Sequence, residues 1–501
     1  MPRIYCDAMT LLSRLRHFLH DHSGASALTF ALCMVPILGF FALAIDYGYA
    51  MSFRQQLDAA ADAASLQTIN TARAQILANP AQSTATTQLL AEAAGVSAFK
   101  ANAGADISAL TNNGLSVTLL ITDPSPLTLT LTATASYSAT ANTSFAKLFG
   151  SQFSTFSFSG TSKSSTTMAN YIGYYLLVDV SGSMGTPSTI SGQSALAAIN
   201  PDDLSQYQQG CIFACHFSGY QGYAYSRTNS TSSTATPVAN NYCPQPDMTT
   251  CIQLRIDAVA TALKAFMSSA QTAQSYDNQI AVGLYPFIVN QFQYFPQANT
   301  GLTLSTDLST ASSMAGCIPG LVDNGGVKNS ASTTCPASTS ANVTMGSGGT
   351  HIGNAFSQLS QVIPQPIGDG SSEDKRKPVV FLITDGAEDE QTYSVSANFD
   401  GKNHATTIAQ KYCALFSGAN IPLYILNIPY ITIQPQYFNA SFAGDEDGYA
   451  NSNIPYIAPS LQSCVTTQSN YFVADPYNPS SITDQIQAMF AQSLLATRLI
   501  Q

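Results

Sequence analysis

Charged side chains are scarce in this sequence. Asp, Glu, Lys and Arg make up 9% of its 501 residues, whereas they make up about 25% of a typical soluble domain. Basic residues are the scarcer kind, with 18 Lys and Arg against 29 Asp and Glu and a net charge of −11. The only basic cluster, Lys375–Lys377, is predicted to be a solvated loop. Nucleic-acid binding is excluded as a function class, because too few cations are available to neutralise phosphates.

Catalytic signatures are absent from the sequence as well. It contains no Walker loop, no HExxH motif and no GxSxG motif. Beyond the apolar N-terminal segment described next, the only histidine bases are His216, His351 and His404. No pattern groups these bases with a nucleophile. We therefore predict that the protein is not an enzyme.

A long uncharged segment lies near the N-terminus. Residues 25–45 carry no charge and are numerous enough to cross a bilayer as a helix. Arginines precede this segment and aspartates follow it, so the positive-inside rule predicts a cytoplasmic tail over residues 1–24 and export of the rest. A signal peptide cleaved after Ala42–Ala44 is the alternative. The length of the segment favours an uncleaved, single-pass anchor.

Cysteine usage agrees with export. Eight of the 10 cysteines lie beyond the anchor, an even number that is typical of an oxidising compartment. The sequence leaves their connectivity open. Proximity suggests pairing within the 211–251 group, between Cys317 and Cys335, and between Cys413 and Cys464.

Two weaker patterns have ordinary explanations. The string from Cys211 to His216, CIFACH, comes within one residue of the CxxCH haem-attachment motif, but a disulfide-pinned loop is favoured because further cysteines lie nearby. The acidic runs Glu388–Glu390 and Asp445–Asp447 lack EF-hand spacing. We predict that both acidic runs are solvated loops rather than Ca²⁺ sites.

The pattern of apolar residues changes along the chain after the anchor. Helical periodicity continues from the anchor to the break at Asn79-Pro80, and a second helix is predicted from Ser83 to about Ala103. Between residues 107 and 165, short segments rich in Thr, Val and Phe predict β structure.

Three oxygen-bearing side chains follow an apolar run that predicts a buried strand. They are Asp179, Ser181 and Ser183, in the string YYLLVDVSGSMG. A strand would deliver them to the carboxyl edge of a sheet, where open α/β sheets place their ligands. One carboxylate and two hydroxyls suit a hard cation such as Mg²⁺ rather than a soft metal. The sequence therefore predicts a cation site here.

Two later segments offer matching groups. The string VVFLITDG predicts a second buried strand that ends in Asp385 and a turn glycine. The string GSGGTHIGNAF places Thr350 after a flexible glycine pair, at the start of an amphipathic helix.

The order of these three segments resembles the von Willebrand factor A domain with its metal-ion-dependent adhesion site, or MIDAS. The resemblance implies a site for Mg²⁺, with Mn²⁺ or Ca²⁺ as alternatives. It implies that Asp385 binds the ion directly or through water. The four direct ligands that it implies are Asp179, Ser181, Ser183 and Thr350.

The N-terminal half resembles a second family. Residues 23–66 resemble the N-terminal region of the TadG family of tight-adherence (Flp) pilus assembly, and residues 131–150 resemble its β module. We expect an α/β protein with a transmembrane helix, a pseudopilin-like helix plus β module, and a Rossmann-like von Willebrand factor A domain with disulfide-bearing insertions. The implied divisions are a tail over 1–24, an anchor over 25–45, the pseudopilin-like module over 46–168 and the A domain over 169–501, with insertions at about 186–251, 300–345 and 428–455.

These resemblances imply a function. We expect a pilus-assembly or adhesion factor in the inner membrane of a Gram-negative bacterium, with its bulk in the periplasm or outside the cell. Its A domain would bind an Asp or Glu of a protein partner in the Tad pilus apparatus through the metal ion. The alternatives are a surface adhesin that contacts host or matrix protein, and a redox or haem-binding periplasmic protein.

Overall fold

The chain folds into two compact units of mixed α/β structure, as a computed structural model shows. The first unit contains Met1–Thr122 and Thr130–Thr167, and the second contains Asp123–Leu129 and Met168–Leu499. The structure describes residues 23–79, 82–104, 108, 110–125, 127–199, 212, 225–226, 236–237, 253–322, 344–346, 349–390, 405–434, 437 and 446–497.

A 56-residue helix, α1 (Ser23–Ala78), begins the first unit. Its N-terminal part is apolar and exposed, with Phe40 74% exposed. Among the described residues, this is the one helix long and apolar enough to cross a membrane. Farther along, Leu57 and Ala64 are buried, and α1 packs there against α2 (Thr84–Ala103). Helix α1 ends just before Asn79-Pro80 and α2 begins just after it, as the break in the sequence pattern predicted.

A three-stranded sheet completes the first unit. Its strands are β1 (Leu110–Ser125), β2 (Thr128–Asn142) and β3 (Thr155–Ala169), with β2 in the middle. Alternate side chains of β2, such as Tyr137, are buried in the same apolar cluster as α1 and α2. Asp46 fixes the loop after β2, because its carboxylate accepts three backbone N–H groups at 2.6–2.9 Å.

The second unit is built on a five-stranded parallel sheet. Its described strands are β4 (Ile172–Asp179), β7 (Ile280–Phe287), β8 (Lys377–Thr384), β9 (Leu423–Asn427) and β10 (Tyr471–Val473). Their order in the sheet is β10-β9-β8-β4-β7. Strands β5 (Tyr225–Ser226) and β6 (Thr236–Pro237) pair separately. Every residue of β4 and β7 is buried, which is typical of a parallel sheet covered on both faces.

Helices cover both faces of this sheet. The described helices of this unit are α3 (Ile190–Ile199), α4 (Arg255–Ala273), α5 (Leu308–Ala315), α6 (Ile352–Val362), α7 (Gln410–Ser417), α8 (Glu446–Gln462) and α9 (Ser480–Thr497). Tyr174 belongs to an apolar cluster with α4, α5 and α9, whereas its neighbour Tyr175 belongs to a second cluster with α6, α7 and α8. The alternation follows from the pleat, which turns successive side chains to opposite faces.

One predicted disulfide joins α7 to the residues after α8. Cys413 and Cys464 are bonded, as their proximity in the sequence suggested. Cys317 is also in a disulfide, and Cys335, its predicted partner, lies outside the described residues. The four cysteines of the 211–251 group lie outside them too.

Replacing both Cys413 and Cys464 with serine is expected to lower the free energy of unfolding. The crosslink spans 51 residues of sequence, and a loop of that length corresponds to about 4 kcal/mol in the chain-entropy account. Urea unfolding of the detergent-solubilised protein measures the change. Cys33→Ser, at an exposed and unpaired cysteine of α1, is the matched control. A double serine variant with wild-type stability would contradict the prediction.

Candidate metal centre

The loop after β4 brings the first three predicted side chains together. The backbone N–H of Ser181 donates to Asp179 Oδ1 at 2.9 Å, which turns the chain sharply after the strand. The hydroxyl oxygens of Ser181 and Ser183 lie 3.0 Å apart at the start of a 3₁₀ turn. All three side chains are buried. The alternating spacing therefore clusters three oxygen-bearing groups at the carboxyl end of β4.

The adjacent strand β8 supplies the next groups. Val178 lies opposite Ile383 in the parallel ladder, so the residues that follow each strand meet at the same edge. Thr384 donates its hydroxyl to Asp179 Oδ2 at 2.6 Å and accepts the N–H of Gly386 at 2.9 Å. Asp385, the fourth predicted residue, is fully buried beside them. Gly386 has a φ of +89°, a conformation that favours glycine in this turn.

Thr350 reaches the same region through the backbone. It is buried and pairs with Asp389, with N–H to O distances of 2.7 and 2.8 Å in the two directions. The next residue, His351, donates its N–H at 2.8 Å to the carbonyl of Ile288, directly after β7. The segment that carries Thr350 therefore lies between the loops that follow β7 and β8.

A buried arginine that the motif search missed contacts Asp385. Arg255, at the start of α4, is 1% exposed. Its Nη1 lies 3.3 Å from Asp385 Oδ2 and also donates to the Ser183 carbonyl at 3.4 Å. Tyr430 donates its hydroxyl to Asp385 Oδ1 at 3.0 Å, and its ring lies 4.8 Å beneath the guanidinium. Both oxygens of Asp385 therefore accept hydrogen bonds.

The two carboxylates repel each other in a dry environment. Burial raises the pKa of Asp179 to about 7, and the charge of Asp385 adds to the shift. Burial also raises the pKa of Asp385, although Arg255, Ser183 and Tyr430 oppose the shift. Both changes disfavour the ionised forms. A divalent cation at this edge would reverse that balance, because its charge dominates the local field.

The donor chemistry fits a hard cation. In the part of the chain that the structure describes, no three His, Cys, Asp or Glu side chains come together as a metal site. The grouped donors at the edge of the sheet are instead hydroxyl and carboxylate oxygens, which Mg²⁺ and Ca²⁺ prefer over Zn²⁺.

Glu388 is buried, and its prediction as part of a solvated loop was wrong. It is 4% exposed, and its carboxylate accepts the N–H of Gly353 in the first turn of α6 at 3.1 and 3.2 Å. Burial raises its pKa to about 8. Glu388 pairs with Thr406 through the backbone, whereas Glu390 at the other end of the run is exposed. The N-terminus of a helix attracts a carboxylate. The predicted helix start at Thr350 was therefore the one feature of the sequence that could have indicated a buried acid here.

Cys211, Cys215, His216 and His404 are outside the described residues, and so is Asp445 of the second acidic run. Glu446 and Asp447 of that run form the start of α8, so their prediction as a loop was wrong.

The N-terminal resemblance is confirmed by a family comparison. Residues 24–67 match the family described as Putative Flp pilus-assembly TadE/G-like. These residues belong to α1 and include the whole of the predicted anchor over 25–45. Among curated proteins, none matches this chain.

Solved structures of pilus and adhesive proteins resemble the chain weakly. The pilus adhesin SpaC from Lactobacillus rhamnosus GG is 12% identical, with a TM-score of 0.30 over 77% of this chain and 36% of SpaC. The von Willebrand factor domain of the type V pili tip protein Mfa5 from Porphyromonas gingivalis is 8% identical, with a TM-score of 0.29 over 65% of this chain and 96% of that domain. Proximal thread matrix protein 1 from the mussel byssus, with a zinc-occupied MIDAS motif, is 9% identical, with a TM-score of 0.30 over 65% of this chain and 48% of its own.

This chain therefore spans less than two thirds of SpaC and of the byssus protein. TM-scores this low do not establish a shared fold or function.

Proposed function

We propose that this protein is a membrane-anchored pilus-assembly or adhesion factor that binds a protein partner through a divalent cation. The cation site would lie at the carboxyl edge of the parallel sheet, in a von Willebrand factor A domain over residues 169–501. The main support is that the cluster of Asp179, Ser181 and Ser183 meets Asp385, which follows a different strand, at one edge of the sheet. Thr384 contacts Asp179 there, and Arg255 contacts both Asp385 and the Ser183 carbonyl.

The chain's own groups prepare the site for Mg²⁺. Asp179, Ser181, Ser183 and Thr350 would hold the ion, and Thr384 orients the Asp179 carboxylate. Because both oxygens of Asp385 already accept hydrogen bonds, its action through a coordinated water is favoured over direct ligation. When bound, the cation would accept a carboxylate oxygen from an Asp or Glu of the partner.

The proposed location rests on the N-terminal half. The exposed apolar part of α1 would cross the inner membrane once, with the arginine-bearing tail in the cytoplasm. The TadE/G-like match over residues 24–67 supports a partner in the Tad pilus apparatus. The disulfide between Cys413 and Cys464 is consistent with an exported second unit.

A pull-down from detergent extracts tests the function. The full-length protein is expected to capture its partner in Mg²⁺, to lose it in EDTA and to regain it when Mg²⁺ is restored. Asp179→Ala should capture nothing in any of these buffers, whereas Asp277→Asn, at an exposed carboxylate of the same unit, should behave as wild type. Capture of the same proteins in EDTA would refute the cation bridge.

A further inference from the structure

Arg255 faces the candidate metal centre from the first turn of α4. It makes no bond to Asp257, which lies two residues away and is also buried, although one Asp257 oxygen has no hydrogen-bond partner. The guanidinium is instead directed at Asp385, 130 residues away in sequence. The Ser183 and Pro429 carbonyls accept from the same guanidinium at 3.4 Å. Four contacts, including the Tyr430 ring, thus fix a permanent positive charge beside the site.

The net charge of the site shows what the Arg255 guanidinium changes. Asp179 and Asp385 together carry two negative charges when ionised, which equals the charge of one Mg²⁺. A centre made of these three alone would be neutral and would have no electrostatic reason to prefer an anionic ligand. With Arg255 included, the charges of one Mg²⁺, Asp179, Asp385 and Arg255 sum to one net positive charge. In a buried site such a charge acts over several ångströms with little screening.

We propose that Arg255 is a specificity-determining residue of this centre: its guanidinium offsets the Asp385 carboxylate, so that the loaded centre selects a carboxylate of the partner over a neutral oxygen ligand. The inference rests on the proposed function, because it concerns the same site. Arg255 has no direct contact with the partner in this account and acts through charge and through the position of Asp385.

The same positive charge has an opposite effect on the metal ion. Arg255 repels a cation that approaches Asp179, so it lowers the affinity of the centre for Mg²⁺ while it raises the affinity of the loaded centre for an anion. A merely structural role would move both affinities in the same direction. Opposite changes in the two affinities are therefore the signature of the proposed role.

Isothermal titration of Mg²⁺ into the full-length protein in detergent measures the first affinity. Binding of a biotinylated peptide that carries one glutamate, compared with its glutamine counterpart at saturating Mg²⁺, measures the second. Arg255→Met is expected to bind Mg²⁺ more tightly by on the order of tenfold and to lose the glutamate preference by a similar factor. Arg255→Lys, which keeps the charge, should retain the preference.

A double variant protects the test against misfolding. Arg255→Met leaves Asp385 buried and unpaired, which is strongly destabilising. Combining it with Asp385→Asn removes both charges of the pair and leaves a loaded centre with one net positive charge, so the glutamate preference should return. Weaker Mg²⁺ binding together with an unchanged preference in Arg255→Met would overturn the inference, as would a double variant without the preference. A wild-type protein that binds no Mg²⁺ would instead refute the proposed function, and the inference with it.

Discussion

Asp179→Asn is expected to abolish Mg²⁺ binding and, at the same time, to stabilise the metal-free protein. The variant removes the one carboxylate proposed as a direct ligand. It also removes a buried charge that lies beside Asp385. Since burial raises the pKa of Asp179 from 3.8 to about 7, the ionised form opposes folding at pH 8. At roughly 1.4 kcal/mol per pH unit, the gain from removing it is on the order of 4 kcal/mol.

The size of this effect depends on how well asparagine replaces the lost acceptor. Its amide oxygen can still accept the N–H of Ser181, and the Thr384 hydroxyl can rotate to accept from the amide nitrogen. Urea unfolding in EDTA at pH 8 measures the stability, and isothermal titration measures Mg²⁺ binding. Asp277→Asn is the exposed control and should change neither. A variant with wild-type Mg²⁺ affinity would remove Asp179 from the site, and a large loss of stability would show that the fold requires its charge.

The affinity for Mg²⁺ is expected to fall steeply below pH 7. A proton on Asp179 must leave before a cation can bind, and the pKa of Asp179 is raised to about 7, mainly by burial. Each pH unit below that value should therefore weaken binding by about tenfold. The pKa of Asp385 is raised as well, which makes the dependence steeper when both groups must ionise.

The stability of the metal-free protein should change in the opposite direction. In the folded state Asp179 holds its proton up to about pH 7, whereas in the unfolded chain it loses the proton near pH 4. Stability is therefore greatest below pH 4 with respect to this group, and it is lost as the pH rises toward 7.

Titrations at pH 8, 7 and 6, in buffers of matched ionic strength, test the metal affinity. An affinity that is constant over this range would contradict the buried-carboxylate account.

Both predictions follow from one property of the site. A pair of buried carboxylates is destabilising alone and becomes favourable when a cation joins it. The same property makes the melting temperature of the protein a sensitive measure of Mg²⁺ binding. Added Mg²⁺ should raise the melting temperature more at pH 8 than at pH 6.

Neighbouring residues in the chain set the local elements of this protein. Helix α1 ends at Ala78 because Asn79-Pro80 breaks the periodic pattern, and α2 begins at Thr84, one residue after the predicted start at Ser83. The strands β4 and β8 were readable because parallel strands covered on both faces are continuous apolar runs. These features depend on neighbouring residues, and a pattern of neighbours is what a sequence records directly.

Which distant groups meet depends on long-range packing. Thr384 contacts Asp179 across 205 residues, and Arg255 contacts Asp385 across 130. Glu388, which looked like a surface acid, is buried against α6. The physical reason is that the order of strands in a parallel sheet places unrelated segments side by side. The burial that follows then sets the charge balance of the site, which no local pattern contains.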